Sequence, residues 1–282
     1  MNNQLPNSMA IRIKAQYDSF KSAERKAANL IIDHPLEVSE MTISQAARKA
    51  GCSEPTFTRL SRKLGYKGFV QMKDALSEVV AGAPSFAGVA PGDAPRVVMS
   101  KVFEYSKKTL TDTLDILDGV QYEKALEAML GADRIFFAGV GISAAVAQCA
   151  AHKFIRMGIN CLWANDPDAQ LLHASHLGAG DVCFLISHSG RTRCILNTAK
   201  CARAQGSTVI CITNYPSAPL VRLSDIRLIT ASFAEHYGEV TGNSIVQTTI
   251  IESLCINLML QDGSVGQRTA FSDTALEANK MI

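Results

Sequence analysis

The 282-residue chain contains no Cys-x-x-Cys pair, and no apolar run in it comes near the ~18 residues a membrane-spanning helix needs. It opens with no stretch of secretory-signal character either, so a cytoplasmic protein that touches no membrane is the expectation. Most of the eight cysteines, including Cys149, Cys183, Cys211 and Cys255, lie inside apolar runs and read as small buried hydrophobes of a reducing compartment. His173 and His176 stand three apart with no Cys or carboxylate partner beside them, so neither a metal nor a cofactor is expected. Net charge is also scarce, at +2 overall, but it is unevenly spread. Residues 1–80 hold 12 Lys and Arg against 8 Asp and Glu, an excess of four, and the remainder carries −2. A basic first segment on a near-neutral second one hints at nucleic acid as a partner.

What the chain does have is 47% hydrophobic residues, enough for a sizeable core, and a length that suggests two domains. Its most informative stretch is the apolar run Asp181–Ile186, which ends abruptly in Ser187-His188-Ser189-Gly190-Arg191-Thr192. The run reads as a buried parallel strand, and Ile195, Leu196, Ala199 and Ala202 then recur at helical spacing. At such a strand-loop-helix junction the first helical N–H groups lack partners and the aligned peptide dipoles add positive charge. Ser187, Ser189 and Thr192 would present three hydroxyls there, with Gly190 allowing close backbone approach, a pattern that suits a phosphate. The other reading is an ordinary N-cap in a tight turn, although a cap uses one hydroxyl rather than three.

A second junction has the same form: Arg134–Ala138 reads as a strand, and Gly139-Val140-Gly141-Ile142-Ser143 leads into an Ala-rich helix. A dinucleotide fingerprint fails because Ala144 takes the third glycine position, which leaves Ser143 as a hydroxyl at a helix start. Further strands are expected at 160–163, 208–213 and 226–230, with helices between them and a long one at 243–260. Five strands alternating with helices predict a doubly wound parallel sheet, and hence an α/β fold.

In the first 80 residues a helical segment from Ile11 is expected to break near Lys21-Ser22, with Ser22 capping a helix that stops at His34-Pro35. Ile43, Ala46, Ala47 and Ala50 give one amphipathic helix, Gly51-Cys52-Ser53 a turn, and Phe57, Leu60 and Leu64 the inner face of a second helix capped by Ser53. That is helix-turn-helix spacing. It leaves Thr56, Thr58, Arg59, Arg62 and Lys63 on the outer side, Thr and Arg being able to read base edges and Arg62 and Lys63 to neutralise phosphates. A solvated face on a plain helical hairpin is the competing reading. Residues 81–95 hold three Gly and three Pro and read as a linker, so the domains run 1–80 (all-α, helix-turn-helix) and 96–282 (five-stranded sheet).

These motifs carry a resemblance. The part from about Arg96 onward resembles a SIS (sugar isomerase) domain, whose phosphosugar loop S-x-S-G-x-T corresponds to Ser187-His188-Ser189-Gly190-Arg191-Thr192. The resemblance implies that Ser187, Ser189 and Thr192, together with Ser143, hold a sugar phosphate. Aminosugar-handling members often carry Glu where this chain has Arg191, which suits a more anionic ligand here. Residues from about Ser22 to Leu76 resemble the DNA-binding domain of RpiR-type transcription regulators, a family that joins it to a SIS domain in this order. Within that family the chain is most similar to the HexR-type regulators of hexose catabolism, which respond to 2-keto-3-deoxy-6-phosphogluconate. The implied function is a regulator, preferably a repressor, with operator DNA and a phosphorylated sugar or sugar acid as partners, a homodimer or higher homo-oligomer, and no catalytic residue. The alternative is a phosphosugar isomerase with N-terminal oligomerisation helices, which would need Glu239, Glu235 or His188 near the sugar carbons. Glu239 and His188 either face the ligand or stay in solvated loop positions.

Overall fold

A computed structural model describes residues 5–81, 88–90, 92–231 and 243–280, and the chain divides into two compact units between Ile116 and Leu117. The first unit is helical: α1 (Leu5–Gln16), α2 (Ser22–Asp33), α3 (Pro35–Glu40), α4 (Ile43–Ala50), α5 (Glu54–Lys63), α6 (Phe69–Ala81) and α7 (Pro95–Ile116). Its core gathers one face of each short helix, Ala27 and Ile31 of α2, Ala46 and Ala47 of α4, Phe57 and Leu60 of α5, and Met72 of α6. Phe57 meets Phe69 edge-on, with ring centroids 5.5 Å apart. The alanines of α2 and α4 let those helices approach α5 closely enough to bury its Phe and Leu side chains completely.

One local expectation needs correction. Ser22 does not cap α2; Lys21 occupies the cap position, and its N–H donates to the Glu24 carboxylate at 2.9 Å. His34-Pro35 does stop α2, and Pro35, its ring already holding a helical φ, starts a further short helix, α3, at once. Of the linker read at 81–95, residues 82–87 and 91 lie outside the described residues.

The second unit begins with α8 (Gly119–Leu130) and then alternates: β1 (Arg134–Gly139), α9 (Ile142–Arg156), β2 (Cys161–Ala164), α10 (Pro167–Ser175), β3 (Asp181–Ile186), α11 (Arg193–Ala204), β4 (Thr208–Thr213), α12 (Pro219–Leu223), β5 (Ile226–Ile229), α13 (Asn243–Gln261) and α14 (Val265–Glu277). The five strands form one parallel sheet in the order β2-β1-β3-β4-β5, so the α/β doubly wound expectation holds. Successive side chains face opposite sides of the sheet. Phe136, Cys183, Leu185, Val209 and Cys211 pack towards Ile195, Ala199 and Ala202 of α11. On the other face Phe137 packs on Phe154 of α9 and on Phe184, at 5.1 and 5.4 Å between ring centroids. Burial pushes the thiols of Cys161 and Cys211 up to about 11, so at neutral pH they are uncharged core fillers.

One ion pair closes the amino end of this sheet. Arg134 at the start of β1 donates through Nε and Nη2 to the two carboxylate oxygens of Asp181 at the start of β3, at 3.1 and 2.5 Å, and Asp181 also accepts from the Gly178 N–H at 2.8 Å. The Arg134 contact, reinforced by that N–H, holds the nearly buried Asp181 carboxyl below its ordinary 3.8 despite the opposing effect of burial. Asp181→Asn should therefore cost roughly 2–4 kcal/mol in urea unfolding at pH 7. Because the folded-state value is the lower one, this stabilisation is present above about pH 4 and fades as pH falls through the folded value. Wild type should accordingly lose more stability than the Asn variant between pH 5 and pH 3, in the same titrated unfolding series.

Candidate functional site

In the parallel register of β1 and β3, Gly139 lies opposite Ile186. From there the chain leaves β1 towards β2 on one side and leaves β3 towards β4 on the other, so the sheet order reverses between these two strands. A crevice at the carboxyl ends of the strands opens at such a reversal. The turn after β1 and the turn after β3 thus lie side by side, each feeding a helix, α9 and α11, whose first N–H groups lack helical partners.

The first turn is tight for a packing reason. A Cβ on Gly139 would sit 2.5 Å from the Ser143 carbonyl oxygen, so only glycine lets the first turn of α9 close over the end of β1. Gly141, at φ +61°, occupies the cap position, and Ser143 is buried in the first turn. The fully buried Gln170 of α10 donates to the carbonyls of Gly139 at 2.7 Å and Ala164 at 2.9 Å, tying the ends of β1 and β2 together. Nothing local in the sequence marks Gln170 for this part.

The second turn is held from β4. The Ser187 N–H donates to Ile212 O at 3.1 Å, and the His188 carbonyl accepts from Asn214 N–H at 2.9 Å and Thr213 Oγ1 at 3.0 Å. Ser187 Oγ accepts from Gly190 N–H at 3.2 Å and lies 3.4 Å from Thr192 Oγ1, while Ser189 Oγ accepts from Arg191 N–H at 3.3 Å. The structure therefore brings Ser187, Ser189 and Thr192 into one short loop, with Ser143 at the start of the neighbouring helix. Gly190 serves differently from the sequence expectation. Its φ is +59°, and a Cβ there would come within 2.5 Å of Ala218 Cβ and 2.8 Å of Thr213 Oγ1, so its bareness lets the loop pack on the protein. Its carbonyl accepts from Leu220 N–H at 3.1 Å, which fixes α12 against the loop.

Two side chains of this loop gather around Tyr215, just past β4. The His188 ring is 5.8 Å from the Tyr215 ring, and the exposed Arg191 guanidinium is 6.0 Å from its centroid. Residues 187–193 include two arginines and no acid, which favours an anionic ligand. Glu239 lies outside the described residues. Sequence reasoning missed Thr213, Asn214, Tyr215 and Gln170, all brought in by sheet topology.

In the first unit α4 and α5 are joined as a helix-turn-helix. Thr42 and Gln45 form a reciprocal cap on α4, Gly51 ends it at φ +64°, and Ser53 stands at the cap position of α5. The Ser53 hydroxyl makes no cap bond; it lies 2.9 Å from Thr56 Oγ1. Ser53, Arg59 and Arg62 are exposed and Thr58 half-buried, and Thr58, Arg59 and Arg62 line an open depression with Ile43, Glu54 and Pro55. Of the expected DNA contacts, Thr56 turns towards the protein, and Lys63, though still exposed, is engaged by a neighbouring helix. Thr56 is 2% exposed, because it sits one helical turn before Leu60 and shares the inward arc. Lys63 pairs with Glu24 of α2 at 2.8 Å and lies 5.7 Å from the Phe20 ring centroid. Burial would raise the Glu24 carboxyl, but Lys63 and the Lys21 N–H outweigh it and hold the group below its ordinary value, so Lys63 anchors α5.

Comparison with known proteins matches residues 7–82 to the helix-turn-helix domain of the rpiR family and residues 128–257 to the SIS domain. A Thermotoga maritima protein described as an uncharacterized HTH-type transcriptional regulator is 33% identical over 256 residues, 89% of this chain and 91% of that one. The HTH-type transcriptional regulator HexR of Pseudomonas aeruginosa is 32% identical over 256 residues, 89% of each chain. Among solved structures, the Vibrio vulnificus NanR protein complexed with ManNAc-6P superposes with a TM-score of 0.66 at 23% identity, covering 97% of this chain and 100% of that one.

The packing at Gly190 is directly measurable. Gly190→Ala should lower the stability of the second unit by roughly 2–4 kcal/mol, through left-handed backbone strain plus the clash with Ala218 and Thr213, read as a shift in its denaturation midpoint.

Proposed function

The chain belongs to the RpiR-type family of helix-turn-helix transcriptional regulators that carry a SIS domain, and from that premise we propose that it represses sugar-catabolism genes and is released from DNA by a phosphorylated sugar acid. The observation that carries the ligand half is the hydroxyl loop at the β1/β3 reversal, where Ser187, Ser189 and Thr192 lie beside the start of α9 with Ser143. The hydroxyls and the two helix starts make a cradle for a dianionic phosphate. Arg191, held near Tyr215 at the rim, supplies a fork for a carboxylate at the other end of the ligand. NanR, which shares the fold, was solved with ManNAc-6P, and this supports a phosphorylated sugar as the ligand. 2-keto-3-deoxy-6-phosphogluconate carries both anionic groups and is the effector we assign. Thr58, Arg59 and Arg62 form the DNA-facing surface, with Ser53 at its edge.

The switch is differential binding. A dimer reading two half-sites about 34–36 Å apart needs its two reading helices at a fixed separation. An effector that binds more tightly to an arrangement with another separation weakens operator affinity by that difference in affinity. In this reading the site residues bind and sense, and none is given a catalytic part. Among the described residues no helix is long and apolar enough to cross a membrane, in keeping with a cytoplasmic regulator.

Fluorescence anisotropy against fragments upstream of the host's hexose-catabolism operons, at two salt concentrations, tests the proposal. A few fragments should bind tightly and with strong salt dependence, and 2-keto-3-deoxy-6-phosphogluconate should release them where inorganic phosphate does not. Arg62→Ala, which removes one phosphate contact from each subunit of the dimer, should reduce the slope of log affinity against log salt by about 2. Arg191→Ala should raise the effector concentration needed for release by about tenfold while leaving DNA affinity unchanged. Release by neutral sugar phosphates alone would discard the effector, and the absence of any specific fragment would discard the regulator.

A further inference from the structure

Thr56 cannot reach DNA, yet it touches the side chain best placed to do so. Arg59 bends back one turn towards the start of α5, and its Nη2 donates to Thr56 Oγ1 at 3.3 Å. Thr56 Oγ1 in turn lies 2.9 Å from the exposed Ser53 Oγ. Either hydroxyl of the Ser53–Thr56 pair can donate; when Thr56 donates to Ser53, its buried hydrogen is satisfied, its oxygen stays open to the Arg59 N–H, and only the exposed Ser53 hydrogen is left over.

This chain of contacts sits where a reading helix enters the major groove, since the first residues of that helix are the ones that meet base edges. A free arginine on a helix surface samples many rotamers and loses that conformational freedom when it is fixed. Thr56 is itself fixed, 2% exposed on the core side of α5, and so restrains the guanidinium before DNA arrives. One N–H of Arg59 is spent on Thr56. Four remain, and a bidentate contact to guanine O6 and N7 needs two.

We propose that Thr56, linked to Ser53, is a positioning residue that pre-aims Arg59 at one guanine in each operator half-site. Thr56 thereby sets specificity without touching a base. The inference rests on the DNA-binding reading above and adds to it which base is read and what holds the reader in place.

The test uses the full-length protein and duplexes enriched by it from a random-sequence pool. Each guanine of the enriched site is replaced in turn by 7-deazaguanine, which lacks only the N7 acceptor. With wild type, one guanine per half-site should cost about tenfold in affinity on replacement, and Arg59→Ala should make that position indifferent. Thr56→Val, nearly isosteric but without the hydroxyl, should cut the tenfold loss to about twofold at that position alone, and Thr56→Ser should restore it. Thr56→Ala repeats the measurement with a smaller side chain, and all binding is measured well below each variant's melting midpoint. A salt dependence unchanged in Thr56→Val separates lost aiming from lost phosphate contacts. If Thr56→Val discriminates as wild type does, or if no guanine depends on Arg59, the inference is overturned while the regulator stands. If no duplex is enriched, the DNA-binding reading fails and the inference falls with it.

Discussion

The parallel pairing of β1 with β3 is the constraint on which the ligand-facing half of the molecule depends. It sets Gly139 opposite Ile186, and the connections from these strands diverge, which opens a crevice between their carboxyl ends. Every later feature of the site follows from that placement. The glycine of the first turn allows α9 to start immediately, so Ser143 is brought to the edge, and the ladder to β4 continues one residue beyond β3 to hold Ser187. At the opposite end of the same two strands Arg134 and Asp181 are joined, so the pairing is fixed from both ends.

The DNA-facing half rests on a different kind of constraint. α5 is a short helix with a polar outer face, and its orientation comes from what it buries, Phe57, Leu60 and Leu64, and from the Lys63–Glu24 pair at its far end. Charge that looks available for phosphates in the sequence is thus used to hold the helix. Ser53, Arg59 and Arg62 are exposed on it, the two arginines with no such ion pair among the described residues, and a few polar groups suit reading a sequence better than a broad cationic face would.

Much of this was legible in the chain itself. Strands buried on both faces announce themselves as apolar runs that stop at Gly and Ser, and all five appear within a residue or so of their expected places. The helix-turn-helix was legible because Gly51 and the i, i+3, i+4, i+7 apolar spacing are local signals. The ion pair of Lys63 was not legible because its partner is 39 residues away, and Thr56 was placed outward because its helical arc was assigned from residue type rather than from its position one turn before Leu60. Gln170, Thr213 and Asn214 carry no local signal at all. They matter only because the sheet order brings α10 and β4 to the turns they hold.

Gly190 has a consequence for how this sequence can change over generations. The space that a Cβ would fill there is already taken by the Ala218 methyl and the Thr213 hydroxyl, and its carbonyl holds the start of α12. A mutation at 190 alone meets both neighbours, and enlargement at 218 alone meets the loop backbone. Each step alone carries a steric cost, so a change at 190 is coupled to what stands at 213 and 218.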